Sequence, residues 1–133
     1  MSVFWEPEET DLTEMTNIAN YHIVHSALVT AARHRPSIRT FHELADLIGL
    51  ATTGSQRMKP LFEILKQINV SEHALGRPLL SAIAVNVNGG PCEGFWGIAK
   101  ELRRFNGDSE DEKRRFWEKE KRAVYAVRGR PAL

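Results

Sequence analysis

The stretch from Thr40 to Trp96 restricts the possible folds of this chain more than any other part of the sequence. It opens with Thr40 and, three residues later, Glu43, which is the capping-box pattern at the start of a helix. Gly49 predicts the end of this short helix, because glycine readily adopts the left-handed conformation found at helix C-termini. The apolar residues between them recur at helical spacing: Phe41, Leu44, Ala45 and Ile48.

A second helix is predicted to begin at Ser55 or Arg57 and to end at Ile68. Pro60 lacks a backbone N–H and is tolerated only in the first turn, so the regular helix is expected to begin close to it. The loop Gly54–Arg57 then forms an exposed approach to the helix N-terminus. The apolar face of this helix consists of Met58, Leu61, Phe62, Leu65 and Ile68.

The second helix is followed by a predicted connector over Asn69–Pro78. Leu79–Val87 is apolar and rich in branched residues, which favours a buried strand. Asn88–Pro91 contains two glycines and predicts a tight turn. The order helix, helix, strand and turn is typical of a winged-helix module, in which one helix enters a DNA groove and a hairpin contacts the DNA backbone.

Helices are also predicted on both sides of this stretch. A long N-terminal helix is expected from Thr13 to about His34, and two more over Glu93–Arg104 and Glu110–Val127, the last of them basic. The sequence therefore predicts a predominantly helical α+β fold with a winged-helix-like core in a single domain over residues 13–127. Residues 1–12 are interpreted as an acidic arm and residues 128–133 as a basic tail. The stripe of the long helix consists of Met15, Ile18, Ala19, His22, Ile23, Ser26, Ala27, Val29 and Thr30.

Composition places the chain among globular proteins with one domain. Its 133 residues, 42% of them hydrophobic and 26% charged, suffice for a core of its own. The single cysteine, Cys92, excludes an internal disulfide, and neither a secretory signal nor an apolar run of about 18–20 residues is recognisable. We therefore expect a cytoplasmic location and no membrane insertion. The net charge is only +1, so nucleic-acid binding requires local placement of cations.

The middle of the chain, over residues 39–97, resembles a known DNA-binding family. The pieces that carry the likeness are Phe41–Ala45, Gly49, Gly54–Arg57, Leu61–Ile68, Ala84–Asn86 and Gly94–Trp96. In order and spacing they resemble the C-terminal winged-helix domain of O6-alkylguanine-DNA alkyltransferases and alkyltransferase-like proteins. The stretch from Pro78 to Phe95 is also similar to short uncharacterised bacterial and phage proteins. The resemblance implies binding of double-stranded DNA with weak or no sequence preference, with a nucleotide pushed or held out of the base stack.

The reactive motif of that family is missing. Its Pro-Cys-His-Arg stands just before the strand that ends in Val-Asn, where this chain has Leu80, Ser81, Ala82 and Ile83. Alkyl transfer requires a thiolate nucleophile, so no alkyltransferase activity is expected. Cys92 follows the strand instead and is interpreted as a small buried or half-buried thiol.

The predicted DNA-binding residues lie in two places. Arg128 and Arg130, in the predicted tail, are expected to anchor phosphate. The resemblance implies that Arg57 wedges into the base stack. The alternative is that the residues before the second helix only solvate its start. The larger cluster, at the N-terminus where free amides favour phosphate, consists of Ser55, Gln56, Arg57 and Lys59.

Other polar clusters are interpreted as structural. Asn86–Glu93 carries no Lys or Arg, and Glu93 repels phosphate, which favours a plain turn over a DNA-clasping wing. The cations of the last helix alternate with acids, which favours a self-paired surface over single-strand binding. His22 and His25 lack a third ligand on their helix. No metal site, cofactor or catalytic residue is predicted.

A second hypothesis requires no nucleic acid. The chain would then be a small phage or mobile-element protein that binds another protein as an adaptor or inhibitor. Phe4 and Trp5 in the acidic arm, together with the near-zero net charge, favour this hypothesis. An enzyme whose site is assembled from scattered polar residues is a third alternative, for which a pocket lined by Arg57, Ser81 and Tyr21 would be the sign.

Overall fold

The computed structural model describes residues 9–34, 37–50, 58–91 and 93–129, and the side chains of residues 9–13 and 93 are left aside. The described residues form five α-helices, one 3-10 turn and one pair of two-residue strands. The predicted class, a predominantly helical α+β fold, is confirmed. In chain order the elements are α1 (Glu9–Ala32), β1 (Arg39–Thr40), α2 (Phe41–Leu47), α3 (Lys59–Ala74), the 3-10 turn (Leu80–Ile83), β2 (Ala84–Val85), α4 (Glu93–Glu101) and α5 (Glu110–Arg128).

The start and end of α2 are the ones that the sequence predicts. The Glu43 backbone N–H donates to Thr40 Oγ1 at 3.1 Å, and the Thr40 N–H donates to Glu43 Oε1 at 3.2 Å. These two bonds make the reciprocal capping box and satisfy two amides that a helix start leaves open. Gly49 has a φ of +75°, so it ends the helix in the conformation expected of it.

Helix α3 is longer than the sequence suggests. It begins with Pro60 as its second residue, which agrees with the predicted tolerance of proline in the first turn. It then continues to Ala74, so the connector predicted over Asn69–Pro78 is wrong for its first six residues. The added turns bury Asn69 and Glu72 on the side that already buries Leu61 and Ile68.

The strand predicted over Leu79–Val87 is largely wrong, and its predicted burial is correct for Leu79–Val85 but not for Val87, which is 79% exposed. The Leu79 N–H donates to Glu120 Oε1 at 3.0 Å, and the Ser81 N–H donates to Asn69 Oδ1 at 3.2 Å. Side chains thus take the place of a neighbouring strand, and the backbone coils into a 3-10 turn before β2. Strand β2 pairs in parallel with β1, with Arg39 opposite Ala84 and Thr40 opposite Val85.

The predicted turn after the strand is present. Asn86 holds it together, because its Oδ1 accepts from the backbone N–H groups of Asn88 at 2.9 Å and Gly90 at 3.2 Å. An isolated antiparallel bridge joins Val85 to Pro91 and closes the turn.

The outer helices cover a core centred on the 3-10 turn. Helix α5 has Ser109 as its N-cap and packs Val124 and Tyr125 inward. Helix α1 begins at Glu9, inside the range predicted as an arm, while residues 1–8 lie outside the described residues. Its inward side chains are Val24, Leu28, Ala31 and Ala32, so most of the stripe predicted for this helix faces away from the core.

Candidate functional site

The residues predicted to bind DNA are only partly within the described structure. Ser55, Gln56 and Arg57, with Arg130 and Cys92, lie outside the described residues. Lys59 is exposed at the first residue of α3 and forms no ion pair with any described residue. No side chain of the described residues caps this end of the helix, where backbone amides and the helix dipole favour an anion.

Arg128 is not a free tail residue, contrary to the sequence-based expectation. It is the last residue of α5, and its Nη2 donates to Oε1 and Oε2 of Glu72 at 2.7 and 2.9 Å. Because a bond to a buried carboxylate occupies it, Arg128 is unsuited to anchoring phosphate. Lys59 and Glu72 stand 13 positions apart on α3, about 20 Å along the helix, so Lys59 and Arg128 do not form one site.

Glu72 is the centre of a buried ion cluster that the sequence does not reveal. Besides Arg128, it meets Arg77 Nε at 2.9 Å and His25 Nε2 at 3.4 Å. The Arg77 Nε–H does not point at the carboxylate and makes no hydrogen bond there, so that contact is an ion pair only. A second buried carboxylate, Glu120, pairs with Arg104 at 3.1 Å. The contacts of Glu72 join α3 to α1 and α5.

One cavity of the described structure lies between α3 and α4, above the 3-10 turn. Its volume is about 290 Å³, near the lower end of the roughly 300–1,000 Å³ that small-ligand pockets occupy. At its floor the Asn69 amide donates to Ser81 Oγ at 2.6 Å. Phe62, Leu65, Phe95 and Ile98 make most of the wall, and Gly94 and Gly97 leave it open on the α4 side.

This cavity offers an apolar slot with a polar end. The Asn69 amide and the Ser81 hydroxyl are both buried, and hydrogen bonds to each other already fix their positions. Lys66 and Glu101 lie 3.9 Å apart at the solvent side. The enzyme alternative expected Tyr21 in one pocket with Ser81, but Tyr21 does not line this cavity. It lines a separate cleft between α1 and α3 and stacks on His25.

Helix α5 pairs several of its acids with cations of the same helix, as its sequence suggests, although Glu120 pairs with Arg104 instead. Arg114 lies 3.0 Å from Asp111, and Lys121 lies 3.4 Å from Glu118. Three exposed cations in an i, i+4, i+7 row have no acid partner among the described residues: Arg115, Lys119 and Arg122. The sequence alone does not distinguish this row from its neighbours, because every cation from Lys113 to Arg122 has an acid within four positions.

Metal binding and membrane insertion find no support in the described part of the chain. No group of three or more His, Cys, Asp or Glu side chains comes together there in a way that could hold a metal ion. None of its helices combines the length and the apolar character that crossing a bilayer requires.

Among the described residues, the carboxyl of Glu43 has a shifted pKa. The hydrogen bond from the backbone N–H of Thr40 is the main cause, and it holds the pKa of Glu43 below its ordinary value of 4.5.

The sequence contains a signal for the burial of Asn69 and Glu72, although both residues fall in the predicted connector. Asn69 and Glu72 fall on the helical face of Leu61, Leu65 and Ile68, so continuing the helix would have predicted their burial. Buried amides and carboxylates require partners, which here are Ser81 for Asn69 and Arg128 for Glu72, both later in the chain.

Comparison of the chain with protein-family models, curated proteins and solved structures finds no match.

Proposed function

We propose that this chain is a non-catalytic DNA-binding protein of winged-helix type that holds one nucleotide outside the base stack. In this proposal the N-terminal end of α3 contacts the phosphate backbone through Lys59 and the preceding Ser55, Gln56 and Arg57. The cavity between α3 and α4 receives the displaced base. No alkyl transfer is expected, because Ser81 stands where a reactive cysteine would be needed.

The arrangement of α2 and α3 supports a groove-binding helix. Phe41 and Phe62 make an edge-to-face contact with ring centroids 5.7 Å apart, which fixes α2 against the first turns of α3. Pro60 and Lys59 remain exposed beside that contact. In the winged-helix interpretation, the turn closed by Val85 and Pro91 takes the position of the wing.

The observation that carries the proposal is the cavity beside α3. Proteins that hold an extrahelical base read it by hydrogen bonds at its edge and by contact with aromatic or apolar side chains. Phe62 and Phe95 supply the aromatic walls, while Asn69 and Ser81 supply the polar end. The first lining residue, Phe62, lies one helical turn after Lys59, so a backbone held at the helix start can deliver a base to the cavity.

Titration of a DNA duplex at two salt concentrations tests the phosphate contacts. Affinity is expected to fall steeply with salt, and removal of one contact in Lys59→Ala or Arg57→Ala should reduce the logarithmic salt slope by about 1. Lys113→Ala is the matched control, because Lys113 already pairs with Glu110 at 3.7 Å. A flat salt response, or parental binding by both variants, would refute the proposal.

Filling the cavity separates base capture from backbone binding. A Cβ added at Gly97 meets no atom within 4 Å, and Gly97 lines the cavity, so Gly97→Leu adds an apolar side chain at the cavity edge. We expect it to abolish the fluorescence increase of a 2-aminopurine that leaves the stack, while Gly97→Ala retains it. Equal fluorescence signals from both variants would refute the proposal that the cavity holds a base. The contacts to the DNA backbone would then still be tested by the salt titration.

A second candidate function is binding to another protein. The observation that favours it is the outward face of α1, where Met15, Ile18 and Ile23 are exposed. Recovery of a stoichiometric protein partner from nuclease-treated lysate, lost in Ile18→Lys, would support this function. A chain that recovers only nucleic acid from untreated lysate would argue against it.

A further inference from the structure

Helix α1 has two apolar faces, and the fold uses one of them. Val24, Leu28 and Ala32 are buried against the core. At roughly 100° per residue, the opposite side of the helix carries Met15, which is 55% exposed, while Ile18, 60% exposed, lies on the flank of that side. Ala19, His22 and Ile23 continue the same outward face, and no described residue buries it.

The outward face is long enough for a helix-to-helix contact. From Met15 to Thr30 it extends over 15 positions, about 22 Å along the helix axis. Beside its second half lies a shallow groove of about 520 Å³ between α1 and α2, where Ile23 and the exposed Leu47 both contribute apolar surface. A second helix laid along this face can therefore bury side chains on both of its edges.

The charges at the two ends of α1 identify what fits there. Glu14 lies in the second turn, and the helix itself contains no Lys or Arg. Arg33 and His34 follow directly after its last turn, and both are exposed. A second α1 laid antiparallel places the acidic end of each helix at the basic end of the other, whereas a parallel copy would place like charges together.

We propose that the outward face of α1 is a self-association surface, and that its occupant is α1 of a second copy of this chain in antiparallel orientation. With a two-fold axis close to Ile23, Glu14 of each copy comes within a helical turn of Arg33 of the other. The interface is isologous, so it closes at a dimer and leaves no free α1 face. The proposal does not depend on DNA binding.

Analytical ultracentrifugation of nuclease-treated protein over a wide concentration range tests the proposal. A monomer–dimer equilibrium that shifts toward the dimer with concentration is expected. Ile18→Lys should leave the protein monomeric throughout, with an unchanged circular dichroism spectrum because the side chain is exposed in the monomer. Val127→Lys is the matched control, since Val127 is 52% exposed on α5, and it should dimerise like the parent.

A charge-reversal pair distinguishes the antiparallel copy from every other occupant. Glu14→Lys and Arg33→Glu each convert two attractive contacts into repulsive ones, so each alone should weaken dimerisation by about tenfold. An equimolar mixture of the two variants should dimerise like the parent, because every end-to-end contact is again between opposite charges.

Two results would overturn the proposal. The first is a parent chain that stays monomeric at every concentration, which would leave the face to a different protein or to another segment of the chain. The second is a mixture of the two charge variants that associates no better than either alone. A parent chain that dimerises but does not bind DNA would contradict the proposed function and leave this inference intact.

Discussion

Replacing Glu72 by glutamine gives the sharpest test of how this fold is held together. The carboxylate side chain is only 3% exposed, and Arg128 Nη2 donates to both of its oxygens. Arg77 and His25 face the same group. The amide introduced by Glu72→Gln would keep the shape but remove the charge, and one of its two polar atoms would present N–H groups to these cations.

The magnitude follows from burial. Removing one partner of a fully buried ion pair costs about 3–5 kcal/mol, because the other charge stays behind without compensation. Here the side chains of Arg128 and Arg77 keep 18% and 37% of their exposure, so water compensates them in part. We therefore expect a loss of about 2 kcal/mol in the free energy of unfolding, which lowers Tm by about 6–10 °C for a domain of this size.

Urea denaturation followed by circular dichroism, together with calorimetry, measures the effect. Glu118→Gln is the control, because the Glu118–Lys121 pair lies at the protein surface and its loss should stay within about 0.5 kcal/mol. The double variant Glu72→Gln, Arg128→Gln should lose less than the sum of the two single variants, since the pair is coupled. A Glu72→Gln protein as stable as the control would refute the reasoning that this cluster fastens α3 to α5.

Three further variants address local features. Gly97→Ala should stabilise the protein by about 0.5–1 kcal/mol in urea denaturation, because the residue lies inside α4 with free space around a Cβ; a loss of stability would contradict this. The stability advantage of the parent over Glu43→Gln should be full above pH 4.5 and shrink as pH falls through the lowered pKa of Glu43, because the unfolded carboxyl takes up its proton first. A pH-independent difference between the two proteins would mean that the Thr40 cap does not favour the ionised form. Trp117→Phe removes the 2.8 Å donation from Nε1 to the buried Ala82 carbonyl and should cost about 1–3 kcal/mol by thermal denaturation, while an unchanged Tm would show that the carbonyl finds water.

Local sequence signals predicted the helix boundaries that are set by local interactions. The capping box of Thr40 and Glu43, the left-handed Gly49 and the start of α5 next to Ser109 all depend on residues within four positions of each other. Such contacts can be read from spacing alone, and the structure agrees with them. The apolar stripe of α3 was found for the same reason, because its period is a property of the helix.

The sequence was misleading where distant side chains decide the conformation. Leu79–Val87 has the composition of a strand, but Glu120 and Asn69 satisfy its amides and coil it instead. The end of α3 looks like a polar connector, yet Arg128 from α5 allows Glu72 to be buried in a helix. The candidate site shows the same limit. Lys59 could be located from its position at a helix start, whereas the cavity floor of Asn69 and Ser81 exists only after the chain has folded.

The dependence of the 3-10 turn on α5 affects how this protein is synthesised. Leu79 and Ala82 obtain hydrogen-bond partners from Glu120 and Trp117, which follow them by dozens of residues. While a ribosome is still translating the intervening stretch, the centre of the nascent chain has unsatisfied polar groups and an incomplete apolar cover. We therefore expect folding to be completed only once α5 has emerged, and chaperone contact to be greatest just before that point.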